Sequence, residues 1–481
     1  MFPFATIKEL EALLNTSAIS VEELLKFYLK RFAMHDTQLG TALEVFDADS
    51  ILKEWRKSKH PLNGIPGLIK DNICQIGRTT SCASKILENF VATYDATAIK
   101  RLKDAGALLI GRANMDEFAM GSSTETSAFK KTVNPWDYSR VPGGSSGGSI
   151  AAVAAGLIPW ALGSETGGSV RQPAAFCGIT GLKPTYGLIS RYGVVAYASS
   201  LDQIGIAARS AYDVARVLSV IAGVDEHDAT TLPQGAHDYT AALTGKLPHG
   251  LKIGVVTNAV EAEGIHTEVA HALQEAITQF TTLGATTSAL ELTSMEYGAA
   301  IYFILSRAEA ASNLARFDGV RYGHRASDPK NLLDLYERSR AEGFGQEVKA
   351  RIMVGNYVLS VGHASDFYVK AVEAQKVMRH DFEQALKEVD ILIAPTTPCT
   401  AFKFGAFDDN KLQMDLQDYF TCPANIVGMP ALSIPCGFDK HGLPIGIQLI
   451  AEHGKEALLL QVADAYQHET EWHTRYPQQL S

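Results

Sequence analysis

The stretch Gly64-Ile65-Pro66-Gly67-Leu68-Ile69-Lys70-Asp71-Asn72-Ile73 decides how the rest of the chain is read. Ile65, Leu68, Ile69 and Ile73 make it a short apolar run of the kind that forms a buried strand, yet one lysine, Lys70, sits among them. Outward from it, residues 96–105 are predicted as a helix ending at Gly106, and residues 107–110 as the next strand. The alternation continues. Strands are predicted over 251–256, 391–394, 431–435 and 445–450. Helices are predicted from 150 to 155 and over 266–283, 302–316, 346–361, 366–388 and 456–468. Strands interleaved with helices imply an α/β fold, a mixed twisted sheet covered by helices on both faces. Residues 1–58 form a helical preface: Ser20 and Glu23 have capping-box spacing, and Val21, Leu24, Leu25 and Tyr28 recur with helical period. Residues 59–481 make up the main domain. Within it, 225–300 is the least distinctive part and is read as an elaboration.

Composition narrows the function classes. With 46% hydrophobic and 20% charged residues the chain is of ordinary globular type. A net charge of −10 argues against a protein that grips a phosphate backbone by itself, since that binding is electrostatic. The cysteines Cys74, Cys82, Cys177, Cys399, Cys422 and Cys436 include no C-x-x-C pair, so neither a metal site nor a redox motif is expected, and reduced thiols fit a reducing compartment. Residues 1–10 lack the basic and apolar regions of a signal peptide. The most apolar stretch, 150–162, contains Gly156 and Pro159 and is too short to span a bilayer, so it is read as core. The expected location is the cytoplasm, without membrane contact.

Two glycine-rich, serine-bearing loops carry the candidate chemistry: Gly143-Gly144-Ser145-Ser146-Gly147-Gly148-Ser149 and Gly163-Ser164-Glu165-Thr166-Gly167-Gly168-Ser169. Glycines let backbone N–H groups converge on one point, which suits an oxyanion hole or a phosphate cradle. No Gly-Lys-Ser/Thr follows either loop, which weighs against phosphate. Residues 143–147 and 144–148 both fit the G-x-S-x-G elbow, a pattern that a Gly/Ser run matches by chance, and His363, His380, His441 and His453 sit in no context that marks a partner. Ser127/Lys130 and Ser50/Lys53 fit S-x-x-K without the supporting K-T-G or S-D-N. On residue types alone, two tight turns packing helices against a sheet remain an alternative reading.

A longer pattern is more specific. Gly64-Ile65-Pro66, Lys70-Asp71-Asn72, the loop 143–149, Gly167-Gly168-Ser169, Arg171-Gln172-Pro173 and Gly181-Leu182-Lys183-Pro184 occur in that order, with Ser145 and Ser169 spaced by 24 positions. In this the chain resembles the amidase signature family along nearly its whole length. The resemblance implies a catalytic domain over 59–481 with Ser169 as nucleophile, Ser145 as a bridging serine on a cis peptide and Lys70 as base. It also implies an oxyanion hole from the N–H groups around Thr166, Gly167 and Gly168. Such a base works only when neutral, which burial among apolar neighbours favours. Asp71 would oppose that neutrality, but alternation along a strand sends it to the other face. One departure is Glu165, where the family usually has Asp.

Within the family, the runs 114–125, 311–319, 347–353 and 418–425 resemble the glutaminase subunits of tRNA-dependent amidotransferases, which take part in converting Glu-tRNA(Gln) to Gln-tRNA(Gln). That resemblance implies that Tyr302, Arg351 and Asp418 grip glutamine, with Arg351 on the α-carboxylate and Asp418 on the α-ammonium. It implies a heterotrimer in which the B and C subunits of the amidotransferase are partners and misacylated tRNA is held mainly by the B subunit. ATP and Mg2+ are then used by the complex, with no cofactor in this chain. Ala350 stands where that group usually has arginine. The rival readings are a free-standing amidase acting on a small amide with the same Ser-Ser-Lys set, and a non-catalytic scaffold.

Overall fold

The computed structural model describes residues 3–233, 235 and 237–481, so the first two residues of the N-terminal run 1–10 lie outside it. Among the described residues one sheet of eleven strands runs through the molecule. Its strands are β1 (Ala42–Val45), β2 (Pro66–Lys70), β3 (Leu108–Ala113), β4 (Trp160–Glu165), β5 (Thr180–Lys183), β6 (Gln203–Ala208), β7 (Lys252–Val256), β8 (Thr286–Leu290), β9 (Ile391–Pro395), β10 (Ala431–Phe438) and β11 (Pro444–Ala451). The order across the sheet is β1-β3-β2-β4-β6-β5-β10-β11-β9-β7-β8. β2 pairs in parallel with β3 and β4, and β7 with β8 and β9, while the other neighbours are antiparallel, so the sheet is mixed.

Strand residues alternate between separate apolar layers. Ile69, Ile391 and Ile393 pack into one core with Ile99, Leu218, Phe280 and Leu460 from helices on that face. Leu68 and Leu108 turn the other way, onto Leu25, Ile150 and Val153, and Leu392 onto Leu305, Phe382 and Ile426. Burial on both faces is why β2, β9, β10 and β11 read as continuous apolar runs rather than alternating ones. The first helices are capped as their spacing predicts. Ser20 accepts from the Glu23 N–H, the Glu23 carboxylate accepts from the Ser20 N–H at 2.8 Å, and Gly40 ends the helix Val21–Leu39 with a positive φ.

Several elements differ from the sequence reading. The preface is helical except for β1, which closes the sheet edge against β3. The region 225–300, read as an elaboration, supplies β7 and β8 at one end of the same sheet and the helix Thr267–Thr282. β5 carries Thr, Gly and Lys and lacks an apolar signature, while β6 adds Ile204, Ile206, Ala207 and Ala208 to Gln203 and Gly205; every residue of both is buried. Residues 163–165 are the end of β4, not loop. The helix expected from 150 begins at Gly147: a Cβ at Gly148 would lie 2.4 Å from the carbonyl oxygens of Asn114 and Thr41, so only glycine lets this turn pack so closely. The helix expected over 366–388 opens with a π turn, Ser365–Val369, before Lys370–Glu388.

Candidate active site

Lys70 ends β2 with its side chain fully buried. Its Nζ donates to Ser145 Oγ at 2.8 Å, Ser146 Oγ at 2.8 Å and the Ser164 carbonyl at 3.1 Å. Burial pushes its ammonium down to about 7, against the opposing pull of Asp116, Asp202 and Glu165. Asp71 turns to the opposite face. There it accepts from the Ala83 N–H at 3.0 Å, from Ser81 Oγ and from Arg112 Nη1 at 3.0 Å.

The two serine loops meet at Lys70 because β2 lies beside β4 in the sheet, with Gly67 opposite Trp160. The Gly144–Ser145 peptide is cis. The Asp116 N–H donates to the Ser145 carbonyl at 3.1 Å, and the Ser146 N–H donates to the Ser169 carbonyl at 3.1 Å, tying the first loop to the second. Gln172 Oε1 accepts from the Gly144 N–H at 3.0 Å. In the second loop the Gly167 carbonyl accepts from Thr421 Oγ1 and the Gly168 carbonyl from the Gln172 N–H, each at 2.8 Å. Since a trans peptide points its N–H opposite to its carbonyl, the N–H groups of Gly168 and Ser169 each point away from these anchors. Ser169 itself is 4% exposed.

Tyr302 and Asp418 close against the same turn. A Cβ on Gly167 would lie 2.5 Å from Tyr302 Cζ, and one on Gly168, whose φ is +155°, would lie 2.6 Å from Asp418 Oδ1. Asp418 Oδ2 accepts from Ser122 Oγ at 2.6 Å, while Oδ1 is buried without a partner. Burial pushes the Asp418 carboxyl up to about 7 and the Tyr302 hydroxyl well above its usual value. Arg351, on the helix Gln346–Leu359, donates through Nε to Glu347 Oε1 and through Nη1 to Tyr197 Oη, both at 2.8 Å; its Nη2 is 3.8 Å from Asp415 Oδ1. Burial works against its charge, but Tyr197, Glu347 and Asp415 outweigh this and keep it cationic. A cleft of about 400 Å³ lined by Ser122, Ser123, Phe303, Arg307, Arg351 and Asp415 opens at this side. Hollows of about 590 and 950 Å³ along the helix Thr267–Thr282 are lined by none of the site residues.

The structure adds groups that the sequence reading left without a role. Ser146 is a second contact of Lys70, equal in distance to Ser145. Glu165 accepts from the N–H groups of Val170 and Arg171 at 3.0 Å and from Arg171 Nε at 2.7 Å, so it folds the turn that carries Ser169. Asp202 accepts from Thr166 Oγ1 at 2.7 Å. Arg171 stands in the run 171–173 of the family pattern, but nothing local marks Asp202. The S-x-x-K candidates are structural: the Ser50 N–H donates to the helix cap Asp47, and Ser127 Oγ donates to Asn114.

Comparison with known proteins gives the family. The amidase family profile matches residues 23–460. The A subunit of the glutamyl-tRNA(Gln) amidotransferase from a Picosynechococcus species is 53% identical over 87% of this chain and 86% of its own. Its counterpart from Thiobacillus denitrificans is 48% identical over 100% of both chains. The crystal structure of the glutamyl-tRNA(Gln) amidotransferase A subunit from Thermotoga maritima, 39% identical, superposes with a TM-score of 0.82 over 97% of this chain and 94% of that one. This chain therefore belongs to the amidase family, in the company of glutamyl-tRNA(Gln) amidotransferase A subunits.

Proposed function

We propose that this chain is the glutamine-hydrolysing subunit of a tRNA-dependent amidotransferase, releasing ammonia used to convert Glu-tRNA(Gln) to Gln-tRNA(Gln). The observation that carries the reading is the convergence at one turn: Lys70 and its serines lie beneath it, and Tyr302 and Asp418 close over Gly167 and Gly168.

A neutral lysine amine has two hydrogens and one lone pair. Ser146 Oγ donates to the Ser164 carbonyl at 3.0 Å and accepts from the Ser164 N–H at 3.3 Å, so its hydrogen is committed. The two amine hydrogens then go to Ser146 Oγ and the Ser164 carbonyl, and the lone pair faces the Ser145 hydroxyl. This selects Ser145 over Ser146 as the relay. In the forward step the Ser169 hydroxyl proton passes to Ser145 as the Ser145 proton passes to Lys70. Ser169 Oγ bonds to the amide carbon of glutamine, and the N–H groups of the 166–169 turn hold the oxyanion. The proton returns through the relay to the departing nitrogen, the C–N bond breaks, ammonia leaves and a γ-glutamyl ester remains. Water, deprotonated along the same route, cleaves the ester to glutamate. Arg351 holds the α-carboxylate, and an α-ammonium arriving at Asp418 Oδ1 both satisfies that orphan acceptor and restores the carboxylate charge.

Ammonia then serves a partner. In the assembly proposed here, the B and C subunits complete a heterotrimer, misacylated tRNA is bound mainly by the B subunit, and ATP with Mg2+ activates the tRNA-borne carboxyl there. This chain's own glycine loops lack the Gly-Lys-Ser/Thr of a nucleotide-binding loop. No helix among the described residues is long and apolar enough to cross a membrane, and the cytoplasm is the proposed site of action.

The test is transamidation by the reconstituted complex carrying Ser169→Ala. Glutamine-supported activity should disappear while activity with added ammonium salt persists. Loss of both would make the chain a scaffold, and brisk hydrolysis of simple amides by the isolated chain, without glutamine turnover, would make it a free-standing amidase.

A further inference from the structure

Arg351 is joined to the nucleophile turn by a continuous chain of short contacts. Tyr197 is 1% exposed, and its hydroxyl accepts from Arg351 Nη1 at 2.8 Å, with the guanidinium carbon 5.6 Å from its ring centre. The N–H groups of Tyr197 and Ala198 donate to Asp202 Oδ2 at 2.8 and 2.9 Å. Asp202 Oδ1 accepts from Thr166 Oγ1 at 2.7 Å, at the start of the turn that ends in Ser169. The Tyr197 carbonyl is anchored separately by Asn313 Nδ2 at 3.2 Å.

The hydroxyl has a second capacity. It accepts from Arg351, so its own hydrogen remains to be donated. Arg351 Nε and Nη1 are engaged by Glu347 and Tyr197, whereas Nη2 meets Asp415 only at 3.8 Å. A carboxylate docking on Nη2 would find the Tyr197 O–H as a second donor. We propose that Tyr197 is a specificity-determining residue for the α-carboxylate of the amide substrate, and that Asp202 is a positioning residue fixing the distance from that carboxylate to the oxyanion turn. This rests on the glutaminase reading above and deepens it. The arrangement measures the substrate: one end is held at Tyr197 and Arg351, the other at Thr166 to Ser169, with Asp202 as the spacer. Being buried and triply bonded, the spacer gives a fixed length rather than an adaptable one.

The test uses the assembled amidotransferase and two substrates, glutamine and 4-aminobutanamide, which is glutamine without its α-carboxylate. In Tyr197→Phe, kcat/KM for glutamine should fall roughly ten- to hundredfold, as expected for losing a hydrogen bond to a charged group, chiefly through KM. The analogue should lose no more than about twofold. Where analogue turnover is too slow to score, the split on glutamine decides: raised KM at near-constant kcat supports the proposal, and loss confined to kcat overturns it. Asp202→Asn keeps one acceptor but presents an N–H to the other set of donors, so kcat should fall on both substrates. Equal losses on the two substrates in Tyr197→Phe, or no loss on either, would overturn the assignment. A wild-type complex inert toward glutamine would overturn the glutaminase reading and this inference together, an outcome distinct from either variant result.

Discussion

The Glu117 carboxylate accepts the Gly345 N–H through both oxygens, at 3.1 and 2.9 Å, and also accepts from Ser84 Oγ. Gly345 is the cap of the helix Gln346–Leu359, so a residue next to Asp116 fixes the start of the helix that carries Arg351. Burial pushes the Glu117 carboxyl up to about 6 from its ordinary 4.5. An acid whose pKa is raised on folding stabilises the fold below its unfolded pKa, and that contribution is lost as pH rises through about 6. Glu117→Gln, uncharged at every pH, should therefore match or exceed the parent in urea midpoint at pH 7.5, with the difference vanishing toward pH 4.5. Glu117→Ala should cost about 1–2 kcal/mol, the usual loss of a helix cap. A Gln variant as damaged as the Ala variant would show that charge, not hydrogen bonding, is what the helix needs.

Lys70 sets the pH dependence of the proposed chemistry. With burial holding its ammonium at about 7, the neutral fraction rises about tenfold per pH unit below that value and then levels. The kcat/KM for glutamine should follow the same limb, rising to a plateau above about pH 7. Lys70→Ala should remove the limb and cost roughly 10²–10⁴-fold, the range for a general base. A rising limb near the ordinary lysine value of 10.5 in the parent enzyme would contradict the buried-base reading.

The ion pair between Arg171 and Glu165 is wholly buried, 2.5 Å at its shortest, and Arg171 also reaches Gln448, Asn425 and the Thr421 carbonyl. Arg171→Met leaves the Glu165 carboxylate without its cation and should destabilise by about 3–5 kcal/mol in urea unfolding. Glu165→Asp, one methylene shorter, draws the carboxylate back from the two backbone N–H groups and the guanidinium of the Glu165 turn. A loss of about 1–3 kcal/mol is expected, as for a buried charged hydrogen bond. Stability equal to the parent in Glu165→Asp would mean that the turn relaxes to follow the shorter side chain.

Gly168 has little tolerance. Its φ is +155°, and an added Cβ would meet Thr421 Oγ1 at 2.2 Å and Asp418 Oδ1 at 2.6 Å. Gly168→Ala should retain its circular dichroism spectrum while losing glutaminase activity by about 10²-fold or more, the effect expected when reacting groups are displaced by about an ångström. Activity within about threefold of the parent would show that Asp418 moves aside and is not tied to the geometry of the turn.

Local chemistry in the chain determines a good deal. The apolar run around Lys70 makes a buried strand with one ionisable group, Ser20 and Glu23 start a helix, and the two glycine-serine loops declare turns where backbone can approach backbone closely. These signals come from neighbours within a few residues, so they survive in the linear sequence. β5 was not legible because its Thr, Gly and Lys are buried by partners far along the chain, not by their own apolarity. The same holds at the site. That Lys70 meets Ser145 and Ser146 depends on β2 pairing with β4, roughly 90 residues apart. Spacing could not say which serine has a hydrogen free for the lysine; Ser146 lost that role to a hydrogen bond with the Ser164 carbonyl. Nor could it show that Tyr197 and Asp202 link Arg351 to Thr166. That link spans three segments brought together by the sheet and its covering helices, and tertiary packing alone fixes such distances.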